Sequence, residues 1–214
     1  MLRRYSILLI CCGALAGAVV VDRVAVIVGK RVIKTSDIER DSRATEFLNR
    51  ERLDVTADAK KKSAERLIDQ MLIRDDMERG HYGTAPSGDV DAMMKKLLQE
   101  RYAGSQARMN EELARYGLTE EQMRMQVQWQ AEVLGFLNQR FRPGVLVTDE
   151  EVRTYYDQHT AELRRQFPTL TTYQTAQPKI RESLEGEKLN QNFEQWLANA
   201  RKRNRIEYRE GALQ

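Results

Sequence analysis

The chain has 214 residues, 41% of them hydrophobic and 31% charged, with a formal net charge of +3. This length and balance exclude a disordered polymer and allow one or two folded domains.

The first residues differ from the rest. Arg3 and Arg4 precede an apolar stretch from Ile7 to about Gly13, and small residues follow as Ala14-Leu15-Ala16 and Ala16-Gly17-Ala18. A basic start, an apolar run and an A-x-A site form the pattern of a signal peptide over residues 1–18, cleaved after Ala16 or Ala18. The apolar run from Ser6 to Val21 is 16 residues, short of the ~20 that a spanning helix needs. Cleavage removes Cys11 and Cys12, the two cysteines of the sequence. Disulfides, thiol catalysis and thiolate metal sites are then not expected. Lys plus Arg falls from 35 to 33 against 32 acids, and a nearly neutral chain argues against nucleic acid as the main partner.

Asp22 to Ile33 reads as a β-hairpin. Val24, Val26 and Val28 share one face at period two, Ala25 and Ile27 the other, and Gly29 can take the positive φ of a tight turn. With both faces apolar, the sheet is expected to be covered on both sides. Helices follow. Ser36 and Glu39 fit a capping box for a helix to about Arg52. A second helix is expected from about Asp58 to Arg79, where Ala64, Leu67, Ile68, Met71 and Leu72 follow the core-facing template, with Gly80 as its C′ residue.

Val90, Met93, Met94, Leu97 and Leu98 repeat that template, and a short helix carries Met109, Leu113 and Tyr116. Thr119 with Gln122, and Thr148 with Glu151, are two further capping boxes. Each is flanked by a staple pair, Leu118 with Met123 and Val147 with Val152. The helix before Pro143 ends ahead of that proline. Gln166 to Gln177 shows no helical period and reads as a loop. A last helix carries Ile180, Leu184, Leu189, Phe193, Trp196, Leu197 and Ala200, and Arg205–Arg209 alternates like a strand.

Strand material thus occurs only at the two ends. A lone hairpin is marginal in water, so the last strand is expected to add to it. The expected fold is mostly α: a helical domain with a small antiparallel β-sheet formed by the N-terminal hairpin and the C-terminal strand. Residues 19–214 would form it, with 177–210 completing a region over 19–165. A split near Pro143 would leave both halves with unfinished sheets.

"VVDRVAVIVGKRVIKTSDIERD" resembles the opening of the SurA family of periplasmic chaperones. "AERLIDQMLIRDDMERGHYGTAPSGDVDAMMKKL", "VTDEEVRTYYDQHTAEL" and "IRESLEGEKLNQNFEQWLANARKRNRIEY" resemble its later helices and closing strand, in the same order. The family usually carries parvulin-type prolyl isomerase domains before the C-terminal helix. The short interval between Leu163 and the last helix leaves no room for one, and no parvulin-like His, Cys and acidic constellation is present. The resemblance implies the chaperone core without the isomerase: an ATP-independent periplasmic protein that binds unfolded exported or outer-membrane protein segments, with no enzymatic activity and no cofactor. The alternatives are a peptidyl-prolyl isomerase and a structural envelope interaction protein.

The residues support no other chemistry. Neither His81 nor His159 sits in an i, i+4 pair with another ligand, so no metal is expected. Asp75 and Asp76 point to different sides of a helix. Lys60-Lys61-Lys62 and Arg201-Lys202-Arg203 read as solvated helix faces, the alternative being attraction to anionic lipid or an acidic client segment. Seven methionines lie beyond the signal, Met71, Met77, Met93, Met94, Met109, Met123 and Met125. Flexible thioethers suit surfaces that accept varied partners, and they also fill cores. The client-binding candidates are Met93, Met94, Leu97, Tyr102, Met109, Tyr116, Met123 and Trp129, provided that they share an exposed apolar patch.

Overall fold

The computed structural model describes residues 22–167 and 172–213. The expected signal peptide and both cleavage sites lie outside them. Two strands, β1 (Val24–Val28) and β2 (Arg31–Lys34), open the described chain. The helices α1 (Thr35–Asn49), α2 (Ala57–Arg79), α3 (Ser87–Tyr102), α4 (Gln106–Arg115), α5 (Glu120–Arg140), α6 (Asp149–Gln166) and α7 (Tyr173–Arg203) follow. Strand β3 (Ile206–Tyr208) closes it.

The sheet is antiparallel with order β2-β1-β3, so the C-terminal strand does complete the N-terminal hairpin. Gly29 takes φ +59° at the hairpin turn, where a residue with a Cβ would be strained. The alternation along β1 is interrupted by a register shift between Val24 and Val26. That bulge turns Val24 outward and buries Ala25 beside Val26. The sheet is not covered on both sides as expected. Val26, Val28 and Ile33 pack with Ala64, Ile68 and Leu72 of α2 and Ala200 of α7, while Val24 and Val32 are left 37% and 43% exposed.

The start of α1 also departs from the sequence reading. Its N-cap is Lys34, and the Asp37 carboxylate accepts the Lys34 N–H at 3.0 Å. Ser36 bonds elsewhere. Its N–H and hydroxyl donate to Asp22 at 3.2 and 2.6 Å, tying the first helical turn to the chain ahead of β1. The helix ends at Asn49, before the expected Arg52, because Arg50 turns into the left-handed region with φ 61°.

Gly80 follows α2 but has φ −85°, and the left-handed residue is His81 at φ 52°. Glycine is needed at position 80 for a different reason. A Cβ there would stand 2.2 Å from the Tyr82 ring. Gly80→Ala must displace that ring from Phe136, against which it packs edge-on at 5.1 Å. We expect a loss of about 1–3 kcal/mol in urea unfolding, as for other overpacked sites. An unchanged midpoint would refute this account of the glycine.

Both capping boxes before α5 and α6 form as expected. Thr119 pairs with Gln122 and Thr148 with Glu151, and both staple pairs are buried. Of the expected loop from Gln166 to Gln177, Gln166 ends α6 and residues 173–177 already belong to α7. Residues 168–171, within its Thr cluster, lie outside the described residues. Thr172 caps α7 with Thr175 at N3, and Pro178 lies inside the helix. A proline near a helix start removes one intrahelical bond. Here Ala176 and Ile180, buried with Val147, Val152 and Leu163, hold those turns.

Among the described residues, the buried apolar side chains other than Leu189 fall into four clusters. One joins the sheet to α2 and the end of α7, and another joins α6 to the start of α7. A third surrounds Phe47 of α1 with α3, α4 and the start of α5. The fourth centres on Phe136 between α2, α5 and α7. The termini are latched by charge as well as by strand pairing. Arg201 of α7 donates to Asp69 and Glu65 of α2 at 2.6 and 2.7 Å. The Tyr208 hydroxyl also donates to Glu65. Against partial desolvation, the bonds from Tyr208 and Arg201 hold the Glu65 carboxyl below its ordinary value. Burial, with the Glu65 bond, pushes the Tyr208 phenol up to about 12. The second basic run is therefore not simply a solvated face, since Arg201 is part of this latch.

Candidate functional site

A groove of about 610 Å³ lies between α1, the segment 50–56 and the C-terminal end of α4. Local hydrogen bonds set its shape. The Glu46 carboxylate accepts the Ser42 hydroxyl at 3.1 Å and the Asp54 N–H at 3.0 Å. The Tyr116 hydroxyl donates to the Glu51 carbonyl at 2.7 Å. Arg101 donates to the Phe47 carbonyl at 2.9 Å, at the end of α1. Asp54 accepts the Thr56 N–H at 2.9 Å, and Thr56 holds the Asp54 carboxyl below its ordinary value.

A segment pinned by its backbone in this way has nowhere inside to place its apolar side chains. Leu53 is 47% exposed and Val55 81%, the highest among the large hydrophobic residues described. Both line the groove, with Ala114 and Tyr116 on the opposite wall. Charged groups rim it in both signs, including Glu39 and Arg43, an ion pair at 3.6 Å. The arrangement can take up apolar side chains from outside.

A second cleft of about 290 Å³ lies on the nearly opposite face of α1, between β2, α1, α2 and α5. Its apolar walls include Leu67, Met71, Leu118, Met125 and Trp129, and Met125 is 54% exposed. Asp41, 6% exposed, forms its buried acid. Arg66 donates to one Asp41 oxygen through Nε at 2.9 Å and Nη2 at 2.7 Å, and Gln70 reaches the other at 3.4 Å. Burial nevertheless pushes the Asp41 carboxyl above its ordinary value, since Arg66 only partly offsets the desolvation.

The eight client-binding candidates are not brought together as one patch. Met94, Tyr102, Met109 and Met123 are buried in the cluster around Phe47, and Met93 and Leu97 pack against it. These six are placed as core, because α3, α4 and α5 turn their apolar stripes toward one another. Tyr116 lines the larger groove, and Trp129 is buried in the cluster around Phe136, at the edge of the smaller cleft. Periodicity marks the buried stripe of a helix, so it selects core residues. Leu53 and Val55 lie between helices with no period to reveal them. Their only sequence signal is two bulky apolar residues in an otherwise polar connection.

Among the described residues, no group of three or more His, Cys, Asp or Glu could hold a metal. His81 sits in the turn after α2. His159 stacks on Tyr155 at 4.1 Å and donates from Nδ1 to the Tyr155 carbonyl at 2.9 Å. Asp75 pairs with Arg31 at 2.8 Å and Asp76 with Arg140 at 3.0 Å, so the two adjacent acids serve separate ion pairs. No helix among the described residues is long and apolar enough to cross a membrane.

No family model matches the chain, and no curated protein matches it in sequence. Solved structures do resemble it. One such chain belongs to the pair PEB4, a virulence factor, and Cj1289, a periplasmic protein, described as structurally related SurA-like chaperones of Campylobacter jejuni. It is 12% identical, the alignment covers 89% of this chain and 100% of that one, and the TM-score is 0.57. The helical chain closed by a sheet of N- and C-terminal strands has a SurA-like fold.

Proposed function

We propose that this protein is an ATP-independent chaperone that reversibly holds unfolded segments of exported proteins, outer-membrane β-barrel precursors among them. The groove between α1, segment 50–56 and α4 is the capture surface. The observation that carries this reading is the pairing of a 610 Å³ groove with two strongly exposed apolar side chains, Leu53 and Val55, on its wall. Exposed apolar surface beside a concavity serves binding, and monomeric proteins keep little of it otherwise. The SurA-like fold supports the same reading, since the similar solved chain is described as one of two chaperones. The signal-peptide pattern of residues 1–18 supports the periplasm as the place of this work.

Capture here needs no chemistry. Client apolar groups leave water against Leu53, Val55 and Tyr116, and the client gives up conformational entropy in return. Affinity is therefore low and selectivity broad. In the test, a molar excess of the protein, without nucleotide, suppresses light scattering by an unfolded β-barrel protein diluted from denaturant. The double variant Leu53→Asp, Val55→Asp loses most of that suppression while its circular dichroism stays unchanged. Failure of the unaltered protein to suppress scattering would sink the chaperone reading. Full activity in the double variant would move the capture surface elsewhere.

A further inference from the structure

The second cleft carries a charge imbalance that the larger groove does not. Each acid around it is already engaged. Asp41 is held by Arg66 and Gln70. Asp37 accepts the Lys34 N–H and pairs with Arg40 at 3.2 Å. On α2, Asp75 and Glu78, one and four positions beyond Arg74, both turn to Arg31, at 2.8 and 2.6 Å, and Asp76 pairs with Arg140 at 3.0 Å.

Arg74 is the remaining cation. Among the described residues it has no carboxylate partner. Its guanidinium instead lies over the Trp129 ring, 4.1 Å from the centroid. Stacking fixes the plane of a guanidinium while leaving its edge N–H groups free to donate, the geometry that suits a carboxylate. Beside it stand Met71 and the exposed Met125. A fixed cation next to deformable apolar walls complements a carboxylate next to an apolar side chain.

We infer that the cleft between β2, α1, α2 and α5 is a binding site for acidic-apolar polypeptide segments, in which Arg74, braced on the buried Trp129, receives a glutamate or aspartate carboxylate and Met71 and Met125 receive the adjoining apolar side chain. This rests on the reading that the chain takes polypeptide clients, but it concerns a site on the other side of α1 from the capture groove. It adds a charge preference to a surface otherwise selective only for apolarity.

The experiment uses two fluorescent peptides that are identical except for one position, Glu in the first and Gln in the second, each flanked by leucines. Fluorescence anisotropy against the whole protein should show the Glu peptide binding about fivefold more tightly, the scale of one partly exposed ion pair. The preference should shrink as ionic strength rises from about 0.05 to about 0.5 M. Arg74→Gln should equalise the two peptides, and Arg74→Lys should restore only part of the preference, because an ammonium lacks the planar fork. Arg74 is solvent-exposed, so these variants should keep the parent's circular dichroism.

Equal affinities in the unaltered protein, no binding of either peptide, or a preference that survives Arg74→Gln would each overturn the proposal. The chaperone reading fails separately. A protein that shows the Arg74-dependent preference but does not suppress aggregation keeps this site and loses that function. Leu53→Asp, Val55→Asp should lose most of the suppression and leave the Glu preference in place.

Discussion

Deleting the residues after Arg203 should lower the stability of the whole helical fold by roughly 3–5 kcal/mol, the scale of a few backbone hydrogen bonds and partly buried side chains. Strand β3 lies on the open side of β1, the central strand. The Gly29 N–H donates to the Arg205 carbonyl at 2.9 Å, and the Arg209 N–H to the Ala25 carbonyl at 2.8 Å. Both bonds vanish with the deletion. Ile206, Ala212 and Leu213 also leave the cluster that holds Val26, Ile68 and Leu72. Glu65 keeps Arg201 but loses Tyr208. A two-stranded remnant is marginal by itself. It also carries the first turn of α1, through the bonds of Ser36 to Asp22.

For a chain of this size, each kcal/mol lowers Tm by about 2–4 °C. Thermal unfolding followed at the helical circular dichroism band should therefore shift as a single transition by several times that amount. Hydrogen exchange should quicken in α2 as well as in β1. An unchanged Tm, with faster exchange confined to β1, would mean that β3 is only a tail.

How much of this was legible in the sequence follows from the physics of each element. The closure of the two ends could be read because strand-forming residues occur at Val24–Ile33 and again near Ile206, and a hairpin needs a third strand. The capping boxes at Thr119 and Thr148 could be read because both partners of each reciprocal bond are local. Lys34 as the cap of α1 could not, because Ser36, the expected cap, is engaged by Asp22, a partner fourteen residues away. The start of α7 at Tyr173 was hidden by threonines and Pro178. Its stability comes from Ala176 and Ile180 packing with α6, which no local rule contains. The site was the least legible part. Apolar periodicity pointed to Met94, Met109 and Met123, which fill the core. The exposed side chains were on a connection, Leu53 and Val55, and at an off-stripe position of α5, Met125. Burial reveals itself as pattern, and a binding surface is visible mainly as its interruption.

The same distinction makes the second large prediction sharp, because two bulky apolar residues lie two positions apart on α5 and should behave oppositely. Phe136 is 1% exposed and Leu134 58%. Phe136 is the hub of an aromatic cluster: it meets Tyr82 at 5.1 Å, Phe141 at 5.6 Å and Trp196 at 5.7 Å, all edge-on or steeply inclined. These contacts join the end of α2, the end of α5 and α7 where main-chain hydrogen bonds cannot. Phe136→Ala removes a whole ring from a closed site, leaves a cavity and strips three aromatic partners. Its cost should be about 3–5 kcal/mol in urea unfolding. Leu134→Ala removes a side chain that is already largely in water and should stay within about 0.5 kcal/mol. Phe136→Leu should fall between, since it keeps most of the volume and loses the ring geometry. If all three variants retain the same m-value, the difference in midpoint reports native packing alone. Were Phe136→Ala to cost no more than Leu134→Ala, the cluster would not be holding α7 against α2 and α5, and α7 would depend on its ion pairs and on β3 instead.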